Sequence, residues 1–186
     1  MRSRVAARAL RTSDSQSLSS VGLASSIAPF DHGVDRDMVT NKDLQLIFKL
    51  APVKWLASAF GKLEAKHYEK HLHSFVANCA KEWPADKDLF TDPVLEPMFE
   101  AEFAAAFEQG GVGALDDMWG FLDWGFAPED VTQRVTMFVG DADDILDPAM
   151  SQSLFERLPN ADLHHWRRVG HYGVYGRWQE FLSAIL

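Results

Sequence analysis

The chain has 186 residues, 47% of them hydrophobic and 24% charged, which suits one ordinary domain with a packed core and excludes disordered, collagenous and membrane-spanning classes. Its one cysteine, Cys79, excludes an internal disulfide framework. A formal net charge of −9 argues against a phosphate-binding face, so no nucleic-acid partner and no membrane is expected.

The amino terminus carries Arg2, Arg4, Arg8 and Arg11, followed by Ser13, Ser15, Ser17, Ser19 and Ser20. That bias reads either as a polar leader of the organelle-transit kind or as the end of a helix running into a loop. A cytoplasmic location is the expectation, with an organelle as its alternative. Val21-Gly22-Leu23-Ala24 is a short buried strand, and Pro29, Asp31, His32 and Gly33 break the chain after it. From about 41 to 108 the spacing turns helical. Leu44, Ile47 and Phe48, then Val53, Leu56 and Phe60, then Leu72, Phe75, Val76 and Cys79 recur at three- and four-residue steps. Asp92-Pro93 reads as a cap and first-turn proline, and Phe99, Phe103 and Phe107 line one face until Gly110-Gly111 ends the helix.

The pattern changes at Val135-Thr136-Met137-Phe138-Val139, a β-branched and aromatic run without alternation, as in a parallel strand covered on both faces. An acidic loop follows, and Asp147-Pro148 opens a helix with Met150, Leu154 and Leu158 on one side until Pro159-Asn160. Leu163–Trp166 is a weaker strand candidate, and Val174, Trp178, Phe181, Leu182 and Ile185 describe one amphipathic final helix. Strand–helix–strand–helix order implies parallel strands with crossover helices.

Functional groups in such sheets gather beyond the carboxyl ends of the strands. Two loops of that kind carry titratable residues, Gly140–Asp147 and Gly170-His171-Tyr172. An acid on the first and the histidine on the second would form an Asp–His pair. The carboxylate accepts Nδ1–H, fixes the tautomer and stabilises the imidazolium formed when Nε2 takes a proton.

Gly140-Asp141-Ala142-Asp143 with Pro148 resembles the G-x-x-D…P acid loop of the α/β-hydrolase superfamily, Leu158-Pro159-Asn160-Ala161 its L-P-x-A linker, and Gly170-His171-Tyr172 its terminal G-H-[FY] loop. Ala106-Phe107-Glu108-Gln109-Gly110, Trp124-Gly125-Phe126 and Asp130-Val131 resemble the end of a helical cap and the return to the sheet. Ser25-Ser26-Ile27-Ala28-Pro29-Phe30-Asp31 resembles the exit from the sixth strand. The resemblance covers roughly residues 20–186 in family order. It implies a partial α/β-hydrolase fold: few parallel strands with crossover helices and an inserted all-helical cap. Residues 1–20 would be a leader or the remnant of the helix after the nucleophile, 21–31 and 131–186 core, and 32–130 cap. It further implies His171 as general base and Asp143 as its orienting acid, with Asp144 and Asp141 as competitors. The proline falls one position later than the family spacing, and Asp147 stands in its place.

No G-x-S-x-G motif occurs in the sequence. The resemblance therefore describes the carboxyl-terminal half of a hydrolase whose full-length relatives cleave ester-like small apolar substrates through a Ser-His-Asp triad, or through an aspartate nucleophile. Weak or no activity is expected of a chain so truncated. Ser26, flanked by small residues two before and two after, is the one substitute nucleophile, but Pro29 and Gly33 prevent a following elbow helix. The alternative is a non-catalytic interaction module, in which an apolar strand edge pairs with a partner chain or with another copy. No cofactor or metal is expected. Glu64, His67 and His71 share a helix face but lack the second half of a di-metal site. Asp141, Asp143 and Asp147 fail the calcium-loop pattern at Leu146 and Gln152. Trp119, Phe121, Trp124 and Phe126 read as core before they read as a substrate pocket.

Overall fold

The computed structural model describes residues 19–50, 53–108, 116 and 119–186. The arginine- and serine-rich leader and the Gly110-Gly111 helix stop lie outside the described residues. Strand β1 (Ser20–Ala24) comes first. Among the described residues there follow the helices α1 (Lys42–Leu50), α2 (Lys54–Glu69), α3 (Leu72–Glu82), α4 (Lys87–Phe90) and α5 (Leu95–Phe107). The chain then gives β2 (Arg134–Gly140), α6 (Pro148–Arg157), β3 (Ala161–Trp166), α7 (Gly173–Gly176) and α8 (Trp178–Ile185). The fold is mixed α/β, with a three-stranded parallel sheet in the order β1-β2-β3.

Central position explains the composition of β2. Val135 and Met137 face a core that includes Met150 and Leu154 of α6. Phe138 points the other way, with its ring 4.7 Å from Trp166 and 5.5 Å from Phe181 of α8. Both faces are dry, so the strand does not alternate. β3 borders the sheet on the other side. Its polar Asp162, His164 and His165 are exposed, which diluted the strand signal and hid its first residues.

Capping matches the side chains available. Asp147 caps α6, accepting the Ala149 N–H at 2.9 Å. Asp92 accepts the N–H groups of Val94 and Leu95, but α5 has Val94 as its N-cap, so Asp92-Pro93 forms the turn before the helix rather than its cap and first turn. The final helix differs from expectation: it is two helices, broken at Arg177. One straight helix could not serve both contacts. Tyr175 packs against Phe99 of the helical block, whereas Phe181 reaches Phe138 in the sheet.

Two apolar clusters result. One lies between the sheet, α6 and the loops around Val34, Val39 and Ile145; the other joins Val76, Cys79, Ala80, Phe90 and Phe99 within the helices. Trp83 and Tyr172 pack against both. Arg157 of α6 ties the two crossings between sheet and helical block, donating from Nη1 to Asp31 and from Nε to Glu129 at 2.6 Å.

Candidate functional site

Parallel register sets the site. Gly140 at the end of β2 pairs with Trp166 at the end of β3, so the following loops leave the sheet side by side. They then zip together: Asp141 N–H donates to the Trp166 carbonyl at 3.0 Å and Ala142 N–H to the Val169 carbonyl at 3.1 Å. This approach requires glycine at 140, where a Cβ would run into the carbonyl oxygens of Val169 and Gly170.

The zipped loops bring Asp143 and His171 together. Asp143 Oδ1 accepts two backbone N–H groups of its own loop, from Ile145 at 2.8 Å and Leu146 at 2.9 Å. Its Oδ2 stands 2.9 Å from His171 Nδ1. The Asp143 side chain is 1% exposed and that of His171 24%. A buried carboxylate with every oxygen engaged is a rigid acceptor, and the half-open imidazole keeps Nε2 for another partner.

The competing acids are spent elsewhere. Asp141 accepts the Arg168 N–H, which holds that residue at φ +55°. Asp144 is exposed, and its carbonyl rather than its side chain is bonded, by Thr40 Oγ at 2.6 Å. Asp147 caps α6.

Ser26 has a structural role, its carbonyl accepting Ser151 Oγ at 3.0 Å. Ser25 before it turns the chain at φ +46°, and residues 27–30 continue without a helix. The His67 and His71 rings lie 5.1 Å apart, tilted by 49°, but the Glu64 side chain lies outside the described residues. Among the described residues the metal-compatible grouping is instead His73 with Glu96 and Glu100. His73 Nδ1 is 2.8 Å from Glu100 and 3.5 Å from Glu96, an exposed ion pair that holds the imidazole pKa above its usual value, chiefly through the Glu100 hydrogen bond. Phe121, Trp124 and Phe126 pack on the main core.

One site residue has no signal in the sequence. Asp86 ends a 3₁₀ turn, Pro84–Asp86, just where an aspartate would cap α4, yet its side chain makes no cap bond. It is 2% exposed and turned toward the histidine loop, with Oδ2 accepting the Tyr172 N–H at 3.1 Å. Burial raises its pKa; the Tyr172 N–H and the His171 imidazole pull it back down, and Asp143 pushes it up again. Tyr172 itself is wrapped by Trp83, Phe90 and Phe99, with ring centroids at 5.5, 4.9 and 5.8 Å. Burial lifts its phenol well above the ordinary range.

No family model matches the chain, and no curated protein matches it. Solved structures do. A thermophilic esterase from Thermogutta terrifontis aligns with a TM-score of 0.58 and 14% identity, covering 98% of this chain and 59% of its own. MGS-M2, an alpha/beta hydrolase enzyme from a Medee basin deep-sea metagenome library, aligns at 0.55 with the same identity and coverage. The fold is a partial α/β-hydrolase fold. The chain spans about three-fifths of the length of these structures. Among the described residues no helix is long and apolar enough to cross a membrane.

Proposed function

We propose that this chain is the acid–histidine portion of an α/β-hydrolase acting on ester-like small apolar substrates, with residues 32–130 as its cap. The observation carrying this reading is the 2.9 Å contact between His171 Nδ1 and a fully engaged, buried Asp143. In this reading Asp143 accepts Nδ1–H and holds the ring, leaving Nε2 to take the proton of an attacking hydroxyl. As the imidazolium forms, the carboxylate offsets its charge without becoming protonated itself. Residues 19–186 supply the acid and the base in this reading; no G-x-S-x-G nucleophile motif occurs in the sequence.

Two measurements test the reading. The ring of His171 should appear by nitrogen NMR as the Nδ1–H tautomer, and Asp143→Asn should abolish that preference. The chain alone should hydrolyse a short-chain nitrophenyl ester no faster than His171→Ala. Robust turnover lost in His171→Ala would refute the missing nucleophile and implicate Ser26.

A second reading is an interaction module. β1 pairs with β2 on one side, and among the described residues no strand pairs with its other side. An open parallel edge is a template for another strand, from a complementary chain or a second copy. A discrete oligomer on size-exclusion chromatography supports this reading, and a monodisperse monomer refutes it.

A further inference from the structure

Asp86 is a carboxylate that the dyad does not need and that the fold buries at a cost. It comes from the helical block, not from the sheet, and meets the histidine loop at Gly170 and Tyr172. Three contacts define the meeting. Oδ2 accepts the Tyr172 N–H. Gly170 lies so close that a Cβ there would overlap the Asp86 carboxyl group. Trp83 and Phe90, just before and just after Asp86 in the chain, clamp the Tyr172 ring. Oδ1 has no hydrogen-bond partner among the described residues, so the Tyr172 amide, with a weaker pull from the His171 amide, offsets this burial.

We propose that Asp86 is a positioning residue through which the helical block sets the histidine loop. With the block seated on the sheet, its carboxylate fixes the peptide between His171 and Tyr172 and so aims the imidazole at Asp143. With the block lifted, that peptide is released and the ring loses its alignment. Its catalytic meaning rests on the hydrolase reading above; the anchoring itself does not. A substrate that seats the block would thereby complete the proton acceptor.

The test uses the full chain and three variants, Asp86→Ala, Asp86→Asn and Gly170→Ala. In the unmodified chain under low urea, the Tyr172 amide should exchange together with Val76 and Cys79 of α3, since both await lifting of the block. Asp86→Ala and Gly170→Ala should each speed that exchange about tenfold or more, the loss of one buried hydrogen bond. Both should also weaken the His171 Nδ1–H signal, which a merely structural loss of stability would leave intact in the folded fraction. Asp86→Asn keeps an amide oxygen for the Tyr172 N–H and should restore both readouts. Tyr172 exchanging with Met137 of β2 instead would overturn the proposal, as would an unchanged His171 signal in folded Asp86→Ala or Gly170→Ala. If Asp86→Ala does not fold, Gly170→Ala and the unmodified chain decide. Absence of the Nδ1–H signal from the unmodified chain would defeat the dyad reading, and with it the aiming role; the exchange measurement would still judge the anchor.

Discussion

Asp143→Ala should be among the most destabilising single changes available to this chain. Truncation removes three hydrogen bonds at once: those from the Ile145 and Leu146 amides and that from His171. Both amides belong to buried residues, with Ile145 4% and Leu146 8% exposed, so water cannot freely replace the lost acceptor. A buried donor left unpaired costs about 1–3 kcal/mol, and the half-open histidine adds about 1 kcal/mol more. Partial relaxation of the loop brings the expected loss to about 3–4 kcal/mol, a large share of the roughly 5–15 kcal/mol that stabilises an ordinary domain. With a urea slope of about 2 kcal/mol/M, the unfolding midpoint should fall by about 1.5–2 M. Asp144→Ala, on an exposed side chain, should move it by no more than about 0.3 M, in line with surface changes of about 0.5 kcal/mol. Equal shifts for the two variants, or a shift below about 0.5 M for Asp143→Ala, would show that the carboxylate does not hold the acid loop, and the rigid-acceptor argument would fail.

Cys79 is buried at 2% exposure and burial pushes its thiol up to about 12, so a thiol reagent should label it only after denaturation; fast labelling of the folded chain would contradict the packing of α3. The His73 imidazole should titrate above its ordinary value in NMR. Its ion pair is therefore complete below about pH 6.5 and lost as pH rises through the raised midpoint, and Glu100→Gln should lower that midpoint. Glu129 shifts the other way, its carboxyl held down by the Arg157 guanidinium. Its contribution is full above the usual carboxyl range and lost as pH falls through the lowered value, so the stability gap between the unmodified chain and Arg157→Ala should narrow between about pH 5 and pH 3.

What the sequence could reveal follows from what each element buries. β2 announced itself because both its faces are apolar, and α6 because an Asp-Pro cap precedes a regular apolar spacing. β3 was faint because it borders the sheet and spends three of its six positions on Asp162, His164 and His165. The amphipathic spacing of the last segment concealed a break at Arg177, because periodicity records which residues are apolar and not which surface they cover. Asp143 could be placed on a loop, but spacing alone left Asp144 and Asp141 open. The choice rests on which carboxylate turns inward to the Ile145 and Leu146 amides, a property of the loop's backbone. Asp86 was beyond reach altogether. A turn aspartate before a short helix ordinarily caps it, and only the docking of the helical block diverts this one to a peptide 86 residues away.

That diversion bears on how the His171 imidazole is held. The acid loop is braced from several sides: it bonds Trp166 at the end of β3 and Val169 beyond it, its carboxylate folds back on its own amides, and residues 38–41 bond it through the Ile145 carbonyl and the Asp147 amide. The histidine loop has turn bonds of its own from Gly173 to Gly170 and from Tyr175 to Tyr172, but among the described residues no carboxylate folds back on its amides from within the loop. Arg168 turns it with a left-handed residue, and Gly170 removes the side chain that would have stiffened it. Beyond its bonds to the acid loop at Arg168, Val169 and His171, its supports are the Asp86 carboxylate and the rings around Tyr172, which belong to the helical block. On the positioning role proposed for Asp86, the two halves of the pair therefore differ: the supports of Asp143 lie outside α3–α5, whereas the peptide after His171 is held by the turn between α3 and α4. Disturbance of the helical block should consequently reach the imidazole before it reaches the carboxylate.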